Sequence, residues 1–318
     1  MMMRLQPYIR IARFDHWFKH VFMLPGVAVA LYGDSSLINA ELLWRLPLAL
    51  LCAGLISSSY YILNEILDAP YDALHPVKKH RPVPSGQINV RLALLLLLIL
   101  VLAGVNLAVP LGLHYCVILL ILWFMGLAYN VRPLRTKDRV YLDVLSESIN
   151  NPLRLLLGWY ATGNTMVVPV SLIVAYWMLG AFLMAMKRYA EFRELANPQL
   201  AAAYRRSFAS YTESTLLVSI VYYAAAFGLF LGIFLIRYRI ELILAIPFIA
   251  GFIAWYMHLG LKANSPTQSP EYLHREKRFV SYLLFCLFLT ALLMFVDMPM
   301  LEQIFAPTLD TPDTAAGS

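Results

Sequence analysis

The sequence predicts an all-α, polytopic membrane protein with nine transmembrane helices in one bundle. Three observations carry this. Of 318 residues, 60% are hydrophobic and only 14% charged, where a soluble domain holds about 25% charged. Continuous apolar runs, such as Leu92 to Val109 and Thr215 to Ile236, approach the ~20 residues that span a bilayer as helix. Lysines and arginines collect in alternate connections between the runs. In lipid every backbone N–H and C=O must be paired within the protein, so the runs are helices. A transmembrane barrel would show short alternating segments instead.

The spans fall at 16–32, 43–66, 90–110, 113–131, 143–161, 167–188, 214–236, 240–261 and 279–299. The first is the least apolar, opening with Asp15, His16, Lys19 and His20. The second ends in a polar run, Asn64 to Asp72. The third, fourth, seventh and ninth have apolar interiors. The fifth carries a polar stripe, and the sixth closes on the charged segment Lys187 to Glu194. Residues 1–306 read as one transmembrane domain. The small, polar, proline-containing tail 307–318 reads as disordered. The first apolar run lacks a small-residue cleavage pattern and reads as the start of the bundle. Cys52, Cys116 and Cys286 lie inside apolar runs, without metal or redox spacing, as small buried hydrophobes.

Nine spans place all but Arg45, Arg154, Arg237 and Arg239 of the 25 basic residues on one face. Positive residues stay cytoplasmic. The N-terminus is therefore expected inside and the C-terminus outside, with the chain integral to the cytoplasmic membrane. Topogenic charge explains the net +6, and no nucleic-acid motif accompanies it.

Asn64, Asp68 and Asp72 are spaced by four. Each such step drifts only about 40° around a helix, so the three share a face. Oxygen-bearing side chains pointing one way invite a hard divalent ion, and Mg²⁺ binds through one or two carboxylates plus substrate phosphates. Pro70 is expected to bend or unwind the helix before Asp72. Next come His75, Lys78, Lys79, His80 and Arg81, cations suited to a diphosphate. On the fifth span Asp143, Glu147, Asn150, Asn151 and Arg154 form one stripe. Ionisable groups in a span are costly and tolerated where they face a cavity or one another; a Glu147–Arg154 ion pair is the structural alternative. Lys187, Glu191 and Glu194 share a face at the end of span six. Trp17 reads as an interfacial anchor. All three charged motifs fall at the cytoplasmic end of the bundle, which suits a diphosphate-bearing small molecule and a lipid partner.

These residues, with nine spans, resemble the UbiA superfamily of intramembrane prenyltransferases over nearly the whole chain. The resemblance implies Mg²⁺ and a diphosphate ester held between the two acidic motifs, with a lateral opening for lipid. Within the superfamily the chain looks most like the decaprenyl-phosphate phosphoribosyltransferases. That likeness rests on Arg13 to Lys19, His75-Pro76, Arg81-Pro82, Asp143 with Arg154 and Gly158, and Lys187-Arg188-Tyr189-Ala190-Glu191. Glu65 stands where the family usually has Asp, and Asp143-x3-Glu147 departs from its more Asp-rich second motif. The resemblance implies metal ligation by Asn64, Asp68, Asp72, Asp143 and Glu147, and catalytic roles for Asp68, Asp72, Asp143 and Arg154. It implies substrate contacts from Lys19, Lys79, Arg81, Lys187, Arg188 and Glu191. The expected reaction moves 5-phosphoribose from phosphoribosyl diphosphate to a polyprenyl phosphate. Prenyl transfer from a prenyl diphosphate to an aromatic or other lipophilic acceptor is the alternative within the superfamily. A transporter is the alternative outside it, disfavoured because the charges crowd one face rather than recurring through the membrane.

Overall fold

The computed structural model describes residues 5–73, 78–195 and 205–306, and these contain helices and connections with no strand. The chain begins with α1 (Gln6–Ile11), a 3-10 segment Phe14–Met23 and α2 (Leu24–Gly33). Then come α3 (Leu42–Asp72), α4 (Val90–Ala108), α5 (Leu113–Asn130), α6 (Leu142–Ser148), α7 (Asn150–Ala161) and α8 (Val170–Glu194). After residue 205 follow α9 (Glu213–Tyr238), α10 (Ile246–Gly260), α11 (Lys277–Leu293) and the short α12 (Pro299–Ile304). The predicted tail 307–318 and the His75-Pro76 pair lie outside the described residues.

Among the described residues six helices are long and apolar enough to cross a membrane: Leu42–Asp72, Val90–Leu111, Leu113–Asn130, Val170–Glu194, Glu213–Tyr238 and Ile240–Gly260. They coincide with six of the nine expected spans. The other three stretches are helical in a different way. Span one is a 3-10 segment running into a ten-residue helix, span five breaks between Ser148 and Asn150, and span nine is a helix of 17 residues. Each of the first two carries polar residues on the face it buries, so propensity and side-chain contacts work against one long regular helix there. The helix at Pro70 is not unwound, contrary to expectation: α3 continues through Pro70 to Asp72. Only one intrahelical hydrogen bond is lost to the proline ring, and the position lies in the last turn.

Two cores organise the bundle. One joins α3, α5 and α7 around Ala53, Ile56, Leu119, Leu122 and Leu157. The other joins α8 to α11 around Phe182, Met186, Ile220, Tyr256 and Phe279. Helices α6 and α7 contact α8 and so link the halves. Large apolar side chains such as Leu95, Leu98, Val218, Tyr222, Leu287 and Phe288 point outward, exposed. A face of this kind needs lipid rather than water around it.

Helices in lipid associate by close packing rather than by the hydrophobic effect, so small residues mark their tightest crossings. A Cβ on Gly158 would stand 2.0 Å from the Met23 carbonyl oxygen, and one on Gly26 would stand 1.9 Å from that of Leu155. These two glycines let the N-terminal segment lie directly on α7. Trp17 closes the other side. Its ring covers Gly54 and its Nε1 donates to Ser58 Oγ at 3.0 Å. Trp17, read from the sequence as an interfacial anchor, packs against α3.

Candidate active site

Five segments end together: the C-termini of α3, α5 and α8, the N-terminus of α6, and the chain entering α9. The first acidic motif points into this junction from α3. Lys137, from the α5–α6 connection, fills the point on which Asn64 and Asp68 converge. Its Nζ donates to Asp68 Oδ1 and Oδ2 at 2.7 and 2.8 Å, to Asn64 Oδ1 at 3.1 Å and to Asn130 Oδ1 at 2.9 Å. Arg135 adds a second cation, donating to Asp68 Oδ1 at 3.0 Å and to Asp138 at 2.9 Å. Burial holds the Lys137 ammonium below the usual lysine range, while the Asp68 carboxylate pulls it back up. One turn on, Asp72 accepts from Arg81, with Lys78 at 4.0 Å.

Glu65 does something else. Its buried carboxylate accepts from the backbone N–H of Val83 at 3.0 Å and ties the connection after α3 back to the helix. The motif thus presents Asn64, Asp68 and Asp72 to the site and keeps Glu65 for the loop.

The second motif is organised by Arg188, one of the largest fully buried side chains. Its guanidinium meets Asp143 at 3.5 Å, Glu147 at 2.7 Å and Glu191 at 3.0 Å. Asp143 is fully buried and accepts from Ser207 Oγ at 3.0 Å and Tyr211 Oη at 2.8 Å. Glu147 accepts from Tyr129 Oη at 2.9 Å. Lys187 lies 3.9 Å from Glu191. Glu147 therefore pairs with Arg188, not with Arg154, and the structural alternative considered for the stripe does not form.

The two motifs communicate through Tyr129. Lys137 Nζ lies 5.9 Å from the centre of its ring, and its hydroxyl reaches Glu147 and receives Arg205 Nη1 at 3.4 Å. Among the described residues no three His, Cys, Asp or Glu side chains are grouped so as to hold a metal ion. Asp68 faces Lys137 and Arg135, and Asp72 faces Arg81 and Lys78, whereas Asp143 and Glu147 are drawn toward Arg188. Lys79 is exposed in a 3-10 turn, and Arg154 lies deeper, beside Tyr60.

The point held by Lys137 offers a direct test of fit for a hard cation. Four oxygens, two from Asp68 and one each from Asn64 and Asn130, already close on a positive charge. An all-oxygen set of this kind suits Mg²⁺, and here the Lys137 ammonium occupies it. Asn130, Arg135, Lys137, Arg205, Tyr129, Ser207 and Tyr211 were not singled out as site residues from the sequence. The three cations among them served there as topogenic charge. The polar pair Tyr129-Asn130 closing the apolar α5 is the signal that could have found the cage.

The sequence profile described as the UbiA prenyltransferase family matches residues 20–282. The decaprenyl-phosphate phosphoribosyltransferase of Mycobacterium tuberculosis is 28% identical over 208 residues, 65% of this chain and 67% of that protein. The digeranylgeranylglyceryl phosphate synthase of Saccharolobus solfataricus is 34% identical over a shorter stretch of 88 residues, 28% of this chain and 30% of that protein. Among solved structures, a UbiA homolog from Archaeoglobus fulgidus bound to GPP and Mg²⁺ superposes with a TM-score of 0.67 at 18% identity. It covers 91% of this chain and 100% of its own.

Proposed function

Because this chain belongs to the UbiA prenyltransferase family, a family of membrane transferases, we propose that it transfers 5-phosphoribose from phosphoribosyl diphosphate to a polyprenyl phosphate. The observation that carries the reading is the Arg188 clamp. The segment Lys187 to Glu191, which tilts the sequence toward the phosphoribosyl branch, is built into the second acidic motif through Arg188 to Asp143 and Glu147. The 28% identity with a decaprenyl-phosphate phosphoribosyltransferase supports the same choice.

In this reading Asn64, Asp68 and Asp72 hold Mg²⁺, with Asp143 and Glu147 across the junction. Mg²⁺ held there would supply charge neutralisation of the donor's diphosphate as a leaving group. Lys137 and Arg135, released from Asp68, move to phosphate oxygens, and Arg81 and Lys78 add charge beside Asp72. Preorganised cations in a poorly hydrated site favour the charge that develops as the C1–O bond breaks. Arg188 positions the second motif by fixing three carboxylates at once. The acceptor phosphate is already ionised at neutral pH, so no general base is required. The site lies at the cytoplasmic end, where the donor arrives from water and the lipid from the side.

Prenyl transfer remains the second reading, favoured by the fold neighbour's GPP and by the likeness to a digeranylgeranylglyceryl phosphate synthase. One assay on purified protein, with Mg²⁺ or with EDTA, separates the two. Labelled phosphoribosyl diphosphate with a polyprenyl phosphate should move label into the lipid phase in Mg²⁺ alone. Product only from a prenyl diphosphate and an aromatic or other lipophilic acceptor would overturn the phosphoribosyl reading.

A further inference from the structure

Below the acidic junction lies a second polar cluster that the donor chemistry does not use. Arg154 is buried, donates to Tyr60 Oη at 3.3 Å and to the Asn150 carbonyl at 3.5 Å, and leaves Nε without a partner. Among the described residues it forms no ion pair. His20 is buried beside Trp17, and neither of its ring nitrogens has a hydrogen-bond partner. Asn150 contributes a further bare oxygen, Oδ1. Lys19 sits next to His20 on the same 3-10 segment.

The contrast with the other cations is one of pairing. Arg188, Lys137, Arg135 and Arg81 each meet a carboxylate of the acidic motifs or their neighbours. Of the two buried arginines among the described residues, Arg188 meets three carboxylates and Arg154 meets none. A buried charge without a counter-ion is costly, and so is a buried imidazole with nothing to donate to. Both costs vanish if an anion enters the cluster in the working state. The packing that creates the cluster is deliberate in structure: Gly26 and Gly158 bring the segment bearing His20 onto α7.

Depth identifies the anion. Arg154 lies seven residues beyond Glu147, and Tyr60 eight before Asp68. At 1.5 Å per residue both sit about 10 Å further into the bundle than the carboxylates. The Arg154 side chain points back toward the site, as helical side chains do, so its guanidinium spans part of that gap. The leaving diphosphate is held at the carboxylates. A nucleophile displacing it at C1 enters from the opposite side, which is the membrane side.

We propose that Arg154, with Lys19 and His20, binds the phosphate of the lipid acceptor, so that Arg154 is an acceptor-binding residue rather than a counter-ion of the donor diphosphate. The inference rests on the phosphoribosyl reading above. An acceptor phosphate oxygen held there forms the bond to C1 as the C1–O bond to diphosphate breaks. The bonding pair leaves with diphosphate, and no proton moves.

The test measures binding in two arms on full-length protein in detergent: farnesyl phosphate alone, and phosphoribosyl diphosphate with Mg²⁺. Arg154→Gln should weaken farnesyl phosphate at least tenfold and change the donor's Kd less than twofold. Arg154→Lys should recover part of the loss, and His20→Gln should weaken the lipid arm by a smaller factor. If Arg154→Gln does not fold, Arg154→Lys and His20→Gln are read in the same two arms. Selective loss of the donor, equal loss in both arms, or no loss in either overturns the proposal. A wild-type protein that binds farnesyl phosphate through Arg154 but never binds phosphoribosyl diphosphate leaves this subsite standing and removes the donor reading instead.

Discussion

Lys137 Nζ lies 2.7 and 2.8 Å from the two carboxylate oxygens of Asp68, so an ammonium from the α5–α6 connection holds the point where Asn64 and Asp68 converge. An ammonium and a divalent ion cannot share that point. Lys137→Gln removes the competing charge, and Mn²⁺ used as a probe should then bind about tenfold more tightly in the absence of donor, roughly 1.4 kcal/mol. The same variant should raise the donor's KM, because a phosphate counter-charge is lost. Unchanged Mn²⁺ titrations by electron paramagnetic resonance would count against that competition.

Asp68→Ala should abolish Mg²⁺-dependent turnover. It should lower Tm, because the buried Lys137 ammonium loses its carboxylate, yet leave the protein folded, because Lys137 keeps Asn64 and Asn130 as partners. Turnover surviving in this variant would remove Asp68 from the metal site.

Arg188→Met should be strongly destabilising. It leaves Asp143, Glu147 and Glu191 without their shared cation, and breaking a buried ion pair costs about 3–5 kcal/mol. A large fall in Tm in detergent is the expected result. Adding Glu147→Gln and Glu191→Gln to Arg188→Met should restore part of it, since uncompensated charge is then removed. Unfolding of Arg188→Met at the wild-type temperature would show that the clamp contributes nothing to stability.

Gly158→Val should separate the N-terminal segment from α7. Its Cβ would fall 2.0 Å from the Met23 carbonyl oxygen, and backbone cannot yield as a flexible side chain does. Overpacking of this kind costs about 1–3 kcal/mol. A mild fall in Tm with a larger loss of turnover is expected, because the same crossing places His20 beside α7. A fully active variant of wild-type stability would show that the close crossing is dispensable.

Much of the bundle was legible because lipid enforces one answer on an apolar run. Six expected spans match six long helices, four of them to within two residues at either end, while Leu42–Asp72 and Val170–Glu194 run six residues past their expected ends. The exceptions are instructive. The stretch 143–161 reads as one amphipathic helix, yet Ile149 divides it. The polar stripe serves different partners on either side: Arg188 for Asp143 and Glu147, Tyr60 for Arg154. Helical periodicity reports which residues share a face and is silent about which of their neighbours lies opposite.

The acidic motifs were legible for the same reason, since spacing by four on a helix fixes a face whatever surrounds it. Lys137, Arg135 and Arg205 were not. Their charge has two meanings, topogenic and functional, and a linear pattern cannot tell a loop lysine bathed in water from one buried among four oxygens.

By itself, then, the sequence determined a helical membrane bundle and the two acidic faces, because span length and helical spacing are local properties of the chain. Only the tertiary structure decided that Lys137 stands among the oxygens of Asn64, Asp68 and Asn130, that Arg188 gathers three carboxylates, and that Arg154 and His20 lie buried with no anion among the described residues. Those facts depend on segments far apart in sequence meeting at one end of the bundle. Buried charge takes its meaning from whichever partner reaches it.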